Sequence, residues 1–341
     1  MKAIVLEEPG SPSGLRLRDI PIPSPGPDDV VIKVRACGVC FHDVLVTRGT
    51  LKRGIKPRVV LGHEIAGDVA QCGANVRRFK PGDRVVSILT ECCGVCDRCL
   101  SGHEHRCREG HGIGHSVDGG YAEYVRVTER SLRPLPPSIT YEHGAIAACP
   151  VGVALAAIRD LAQPKPGETA LVTGAGGGVG VHTVQLLKHY GARVFAVTTT
   201  EEKAARLREI GADEVLLSPG LDFQWEALAL TGENGVDVVI DTVGSTAFSA
   251  AFQALAQFGR IVFIGQVGAG EITLSPANLL FKDAKLMGAS GCNFKDLDQA
   301  LQLIGQGAIK PVVQTFPLAA AANVHQMMLS RKMFGRAVLT P

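Results

Sequence analysis

The chain has 341 residues, a formal net charge of +2, and a composition that is 46% hydrophobic and 20% charged. That length predicts two domains rather than one, and the near-neutral balance excludes a global attraction to nucleic acid or anionic lipid. The longest apolar runs, such as Ala145 to Ile158, contain proline and glycine and fall short of a membrane span. Met1-Lys2-Ala3-Ile4-Val5 has one charge and no cleavable apolar segment, so no secretory signal and a cytoplasmic location are expected.

The first stretch, to about residue 150, is rich in glycine, proline and short β-branched runs. Val30 to Val34 and Arg84 to Ile88 read as strands, the second fed by a turn at Pro81-Gly82-Asp83. This predicts an irregular, mostly antiparallel β domain. The texture changes after Pro164-Lys165-Pro166-Gly167. Thr169 to Thr173 reads as a continuous apolar strand. A glycine cluster follows, then a helix to about Tyr190, closed by Gly191. Arg193 to Val197 is the next strand, and Glu201 to Ile210 a helix closed by Gly211. Glu214 to Leu217, Val236 to Ile240, Arg260 to Ile264 and Lys285 to Met287 read as further strands. Strands alternating with helices predict an α/β fold with a doubly wound parallel sheet. Beyond residue 290 one helix, Asp296 to Ile304, precedes short strand-like pieces.

Ten cysteines need an explanation, and five of them lie between Cys92 and Cys107. Without an export signal they point to metal or catalysis rather than disulfides. Cys93, Cys96, Cys99 and Cys107 have the spacing C-x2-C-x2-C-x7-C. Two-residue gaps let successive thiolates converge on one tetrahedral ion, and four thiolates leave no open position, so a structural zinc is expected. An iron–sulfur cluster is the chemical rival. Cys92 breaks the spacing, and His103, His105, His111 and His115 read as solvated loop residues.

Gly174-Ala175-Gly176-Gly177-Gly178-Val179-Gly180 sits between a strand and a helix. Glycines there permit a tight turn and close backbone approach to a pyrophosphate, while the helix N-terminus offers amide donors. Gly174, Gly177, Gly178, Val179 and Gly180 are therefore expected to hold a dinucleotide. The following strand ends in Thr198, Thr199 and Thr200, with Lys203 close by, where an acid would grip the ribose hydroxyls of NAD. An acid would repel a 2′-phosphate, so its absence favours NADP(H) over NAD(H). The threonines have a second possible use, capping the helix from Glu201.

Gly62-His63-Glu64-Ile65-Ala66-Gly67, continued to Gly73 and Val76, fits the pattern G-H-E-x2-G-x5-G-x2-V. With Cys37-Gly38-Val39-Cys40 upstream and Ala148-Cys149-Pro150-Val151-Gly152 downstream, the chain resembles the zinc-dependent medium-chain alcohol dehydrogenases over essentially its whole length. That resemblance implies a GroES-like catalytic domain, 1–150 with 291–341, beside a Rossmann domain, 151–290. It implies Cys40, His63 and Cys149 as ligands of a catalytic zinc, Glu64 as an alternative ligand, and a homodimer or homotetramer. It further implies hydride transfer between a nicotinamide and an alcohol or carbonyl compound. Many members carry Ser or Thr two residues after the first catalytic cysteine as a proton relay; here His42 stands there, with Leu45 where a relay histidine often sits. His42 is able to shuttle protons itself. The cofactor half, with Leu171 to Gly174 and Thr198 to Lys203, also resembles NADPH-dependent acryloyl-CoA-type reductases, which need no alcohol relay. A nucleotide-sensing protein without activity is a third reading.

Overall fold

The computed structural model describes residues 1–10, 14–268 and 270–341. The chain divides into two compact units, Met1–Gly152 with Gly291–Gly307 and Val313–Pro341, and Val153–Ser290 with Ala308–Val312.

The first unit is built on Asp29–Gly38, which pairs antiparallel with Glu64–Cys72, Tyr124–Thr128 and Arg336–Thr340 in a seven-stranded sheet. The sequence shows only half of this strand. Its ladder shifts register after Val31 and after Val34, so the apolar run does not keep a two-residue period. A three-stranded sheet, Leu15–Asp19, Lys2–Leu6 and Val59–Val60, covers the other side of the apolar core. Tyr121 is fully buried in that core and Ile32 and Ile65 pack there with it. After helix Tyr141–Ala145 the chain opens into a π-helical stretch, Ala147–Gly152, with Pro150 inside. Proline lacks the N–H that an α-helix needs, and the wider turn accommodates it.

The second unit is a six-stranded parallel sheet in the order Glu214–Leu217, Arg193–Thr198, Thr169–Thr173, Val236–Asp241, Leu255–Phe263, Lys285–Gly288. The order reverses between Thr169–Thr173 and Val236–Asp241. A crevice at such a switch point, at the strands' carboxyl ends, is where nucleotides bind. Strand Leu255–Phe263 begins five residues before the expected Arg260, because Phe258, at φ 62°, bends the chain within it and hides the continuity. Helix Phe294–Gly305 likewise begins before Asp296, which instead closes a capping box with Asn293. The tail holds a helix, Ala321–Leu329, where only strand-like pieces are expected from the sequence; its alanines and methionines favour helix.

Candidate functional site

The four-cysteine lobe is a short excursion of the first unit. Cys96 caps the single helical turn Asp97–Leu100, which carries Cys99. The Cys93 and Cys99 sulfurs are 3.9 Å apart, as are those of Cys96 and Cys107. Two thiolates on one tetrahedral zinc, each at about 2.3 Å, stand about 3.8 Å apart. All four sulfurs lie within 4.8 Å of one another, so they converge on one ion rather than spreading over the irons of a cluster. Backbone amides of Val95 and Cys96 point at the Cys93 sulfur, 3.5 and 3.3 Å away. Similar amide donors bring the Cys96 thiol down to about 6, which suits a thiolate ligand. Cys92 turns away toward Arg130 and Ser131.

The second set forms at three loop-to-element junctions. Cys40 caps helix Phe41–Thr47, His63 precedes strand Glu64–Cys72, and Cys149 lies in the π-helical stretch. Gly62 enters His63 at φ 95°, and a Cβ there would strike Tyr121 and the Cys37 sulfur. Only glycine fits, which accounts physically for the first residue of the G-H-E pattern. The Cys40 and Cys149 sulfurs are 3.8 Å apart, again the single-ion spacing. The hydrogen bond from the Cys149 thiol holds Cys40 well below the usual thiol range, while Cys149 is held well above it. His63 turns Nδ1 to Asp43 Oδ1 at 3.4 Å. The other Asp43 oxygen accepts from Cys40 N–H at 2.9 Å and from the Tyr121 hydroxyl at 3.0 Å. Burial alone would raise Asp43, but His63 and His42 outweigh it and keep the carboxylate ionised. A carboxylate behind a ligating imidazole fixes which nitrogen faces the metal.

Glu64 is brought beside Cys40, His63 and Cys149, its donor atom within 4.8 Å of theirs. Its carboxylate is nonetheless taken by Arg336, which donates from Nε to Oε2 at 3.0 Å and from Nη2 to Oε1. The same Nη2 lies 3.2 Å from the Cys149 sulfur. The donors fit zinc: two thiolates, one oriented imidazole and a carboxylate engaged elsewhere. Asp43, Tyr121 and Arg336 escape the sequence reading. Asp43 follows Cys40 by three, a weak signal; Arg336 carries none. His42 lies beside His63, its ring 5.3 Å away. His115 lies half-buried in a turn, as a loop residue outside the ligand sets, where it packs 5.2 Å from His42 and bonds to the Arg53 carbonyl.

In the second unit Gly174, at φ 58°, turns the chain out of Thr169–Thr173, and a Cβ on Gly180 would collide with the Gly174 carbonyl. Gly177 donates its N–H to that carbonyl, and Gly178 and Val179 lead into helix Gly180–His189. The Lys203 stem lies over Gly176, closing the turn from one side. Thr200 occupies the cap position before Glu201–Glu209 yet makes no side-chain cap bond, so the capping use of the threonines is not realised there. Its hydroxyl is buried without a partner. Thr198, buried at the strand end, and Thr199 adjoin it.

Two cysteine-based ligand sets and a glycine turn at the switch point of a parallel sheet define a zinc-binding, nicotinamide-dependent oxidoreductase. A family model described as Alcohol dehydrogenase GroES-like domain matches residues 26–137, and one described as Zinc-binding dehydrogenase matches residues 178–306. The chain is 36% identical to the acryloyl-coenzyme A reductase of Sulfurisphaera tokodaii, with all of both sequences covered. A solved NAD-dependent alcohol dehydrogenase superposes with a TM-score of 0.93 at 35% identity, both chains covered in full. A chain from Sinorhizobium meliloti 1021, described as of zinc-binding dehydrogenase type and solved bound to NADP, gives 0.87 at 30% identity, covering 100% of this chain and 99% of that one. The chain belongs to the zinc-dependent medium-chain alcohol dehydrogenase family, and it is an enzyme.

Proposed function

We propose that the enzyme transfers hydride between NADP(H) and an alcohol or the corresponding aldehyde or ketone. The observation that carries this is the Cys40, His63 and Cys149 set, with sulfurs at single-ion spacing and Glu64 drawn off by Arg336. A zinc held by those three residues would keep its fourth position for a substrate oxygen and supply Lewis-acid polarisation there. Asp43 orients His63, Arg336 keeps Glu64 aside, and His42 stands where a proton enters or leaves the substrate oxygen. Gly174, Gly177, Gly178, Val179 and Gly180 hold the pyrophosphate. Thr198, Thr199, Thr200 and Lys203 meet the 2′-phosphate, which supports NADP(H) over NAD(H). The metal chemistry belongs to the unit of Met1–Gly152 and the cofactor to that of Val153–Ser290.

A second reading is favoured by the lack of a Ser or Thr hydroxyl at position 42 and by the acryloyl-coenzyme A reductase relative: NADPH-dependent reduction of an activated double bond in an enoyl thioester. A panel of alcohols, aldehydes, ketones and enoyl thioesters, run with NADPH and NADH on zinc-assayed protein, separates the two. Cys40→Ala should lower alcohol and aldehyde turnover by about 100-fold or more, as loss of transition-state charge stabilisation does, while NADPH binding persists. Full activity in that variant, or turnover of enoyl substrates alone, would overturn the carbonyl reading.

Thiolate ligands need a reducing compartment, which supports a cytoplasmic location. No helix among the described residues is long and apolar enough to cross a membrane. We further propose a homo-oligomer: Leu280 and Phe281 are 73% and 81% exposed beside the unpaired sheet edge Lys285–Gly288. Sedimentation at several concentrations tests it, and a monomer throughout would refute it.

A further inference from the structure

Behind Asp43 the metal site has a further layer. The carboxylate is fully buried, and the hydroxyl that reaches it belongs to Tyr121, itself fully buried. The Tyr121 ring also lies against Gly62, so one side chain supports both Asp43 and the backbone just before His63. On its far side the same hydroxyl meets Nε2 of His325 at 3.3 Å, the two rings standing edge to face at 68°. His325 comes from helix Ala321–Leu329, 204 residues further along the chain, and is only 3% exposed. Its Nδ1 faces the Thr47 hydroxyl at 3.5 Å, on the helix that Cys40 caps.

The acceptors decide where the hydrogens of this layer lie. Asp43 is ionised and only accepts, so the single Tyr121 proton goes to its Oδ2. The Tyr121 oxygen then accepts on its other side, and the donor there is the His325 Nε2–H. Burial lowers the His325 pKa against the pull of the Asp43 charge and keeps the ring neutral, so Nδ1 is left as an acceptor. It faces the Thr47 hydroxyl, whose proton lies nearer the Asp43 carbonyl, 2.8 Å away. In the opposite tautomer Nε2 would compete with Asp43 for the Tyr121 proton. Buried hydrogen bonds in a chain polarise one another. The His325 N–H therefore strengthens the bond from Tyr121 to Asp43, and Asp43 in turn faces Nδ1 of His63.

We propose that His325 is a positioning residue for the Cys40, His63 and Cys149 metal site: by donating Nε2–H to Tyr121 it commits the tyrosine proton to Asp43 and so keeps the carboxylate fixed behind the His63 imidazole. A ring that only filled space would act alike whichever nitrogen carried its hydrogen. The role rests on the ligand set proposed above and holds whichever substrate is turned over. It shows in how firmly the site keeps its zinc.

Amide side chains separate the two nitrogens. In His325→Gln the amide N–H reaches where Nε2 stands; in His325→Asn it reaches only the Nδ1 position; His325→Leu offers neither. The measurement is release of zinc from fully loaded protein to a chromogenic chelator, with the four-cysteine zinc as internal reference. His325→Asn and His325→Leu should release the other zinc about threefold or more faster than wild type, less than the roughly 10- to 100-fold of a partner touching a ligand directly, and His325→Gln should stay near the wild-type rate. The four-cysteine zinc should leave at an unchanged rate in all three. In a Tyr121→Phe background, which has no hydroxyl to orient, the same substitutions should add nothing. The proposal is overturned if His325→Asn and His325→Leu keep zinc as wild type does, or if His325→Gln loses it as fast as His325→Leu. It is equally overturned if the loss persists undiminished in Tyr121→Phe, as lost packing alone would give. Cys40→Ala, run alongside, tests the ligand set and should carry only the four-cysteine zinc. Two zinc ions retained there would overturn the ligand assignment and the proposal with it; one zinc there, with no effect at His325, would overturn the proposal alone.

Discussion

At the scale of single residues, two groups outside the ligand set govern how the metal site behaves. Asp43 is fully buried and binds His63, Cys40 N–H and Tyr121 at once. Asp43→Asn keeps the shape but loses the charge behind the imidazole. Outer partners of this kind are worth about 10- to 100-fold in metal affinity, so zinc–chelator competition should show the second zinc leaving first while the four-cysteine zinc stays. Loss of both ions in parallel would contradict that assignment. Arg336 is 4% exposed and its partner Glu64 is fully buried. Arg336→Leu strands the carboxylate, and breaking one side of such a pair costs about 3–5 kcal/mol. Adding Glu64→Gln should recover most of the loss in denaturant unfolding; if the double variant is no more stable than the single, the pair is not what holds this region. None of these partners stands out in the sequence, because each matters through a contact between distant segments. The ligands themselves are legible there because their spacing is local.

At the scale of elements, the lobe and the cofactor turn make opposite demands. The lobe has little apolar interior, since Val95 and Leu100 are 67% and 76% exposed. Its order therefore rests on the ion. Structural zinc contributes on the order of 10 kcal/mol in small peptides, and less is expected here, where the lobe is part of a larger unit. Cys96→Ser should halve the zinc content and lower the melting temperature, with the affinity for NADPH retained; unchanged melting and metal would contradict a structural role. At the cofactor turn, Thr198→Asp puts a negative charge at a strand end near Lys203, and the preference should move from NADPH toward NADH. A wild type that already prefers NADH would refute the reading of Thr198. Thr169–Thr173 is legible in the sequence to the residue, since a strand buried on both faces reads as an unbroken apolar run. Asp29–Gly38 and Leu255–Phe263 are not, because register shifts and a positive φ interrupt the pattern that sequence reading relies on.

At the scale of the whole molecule, two separate ligand sets predict two zinc ions per chain by elemental analysis; iron in the lobe would overturn the structural-zinc assignment. The connectivity also sets an order in time. Glu64 and Arg336 are 272 residues apart, and the entire parallel-sheet unit is encoded between them. On the ribosome, Cys40, His63 and Cys149 emerge long before the guanidinium that restrains Glu64. A nascent chain thus passes through a stage in which Glu64 is not yet held by Arg336. Synthesis of the strand Arg336–Thr340 supplies Arg336 and completes the pairing with Asp29–Gly38 in the same step. The last strand made is therefore the one that brings the guanidinium holding Glu64 aside from the Cys40, His63 and Cys149 set.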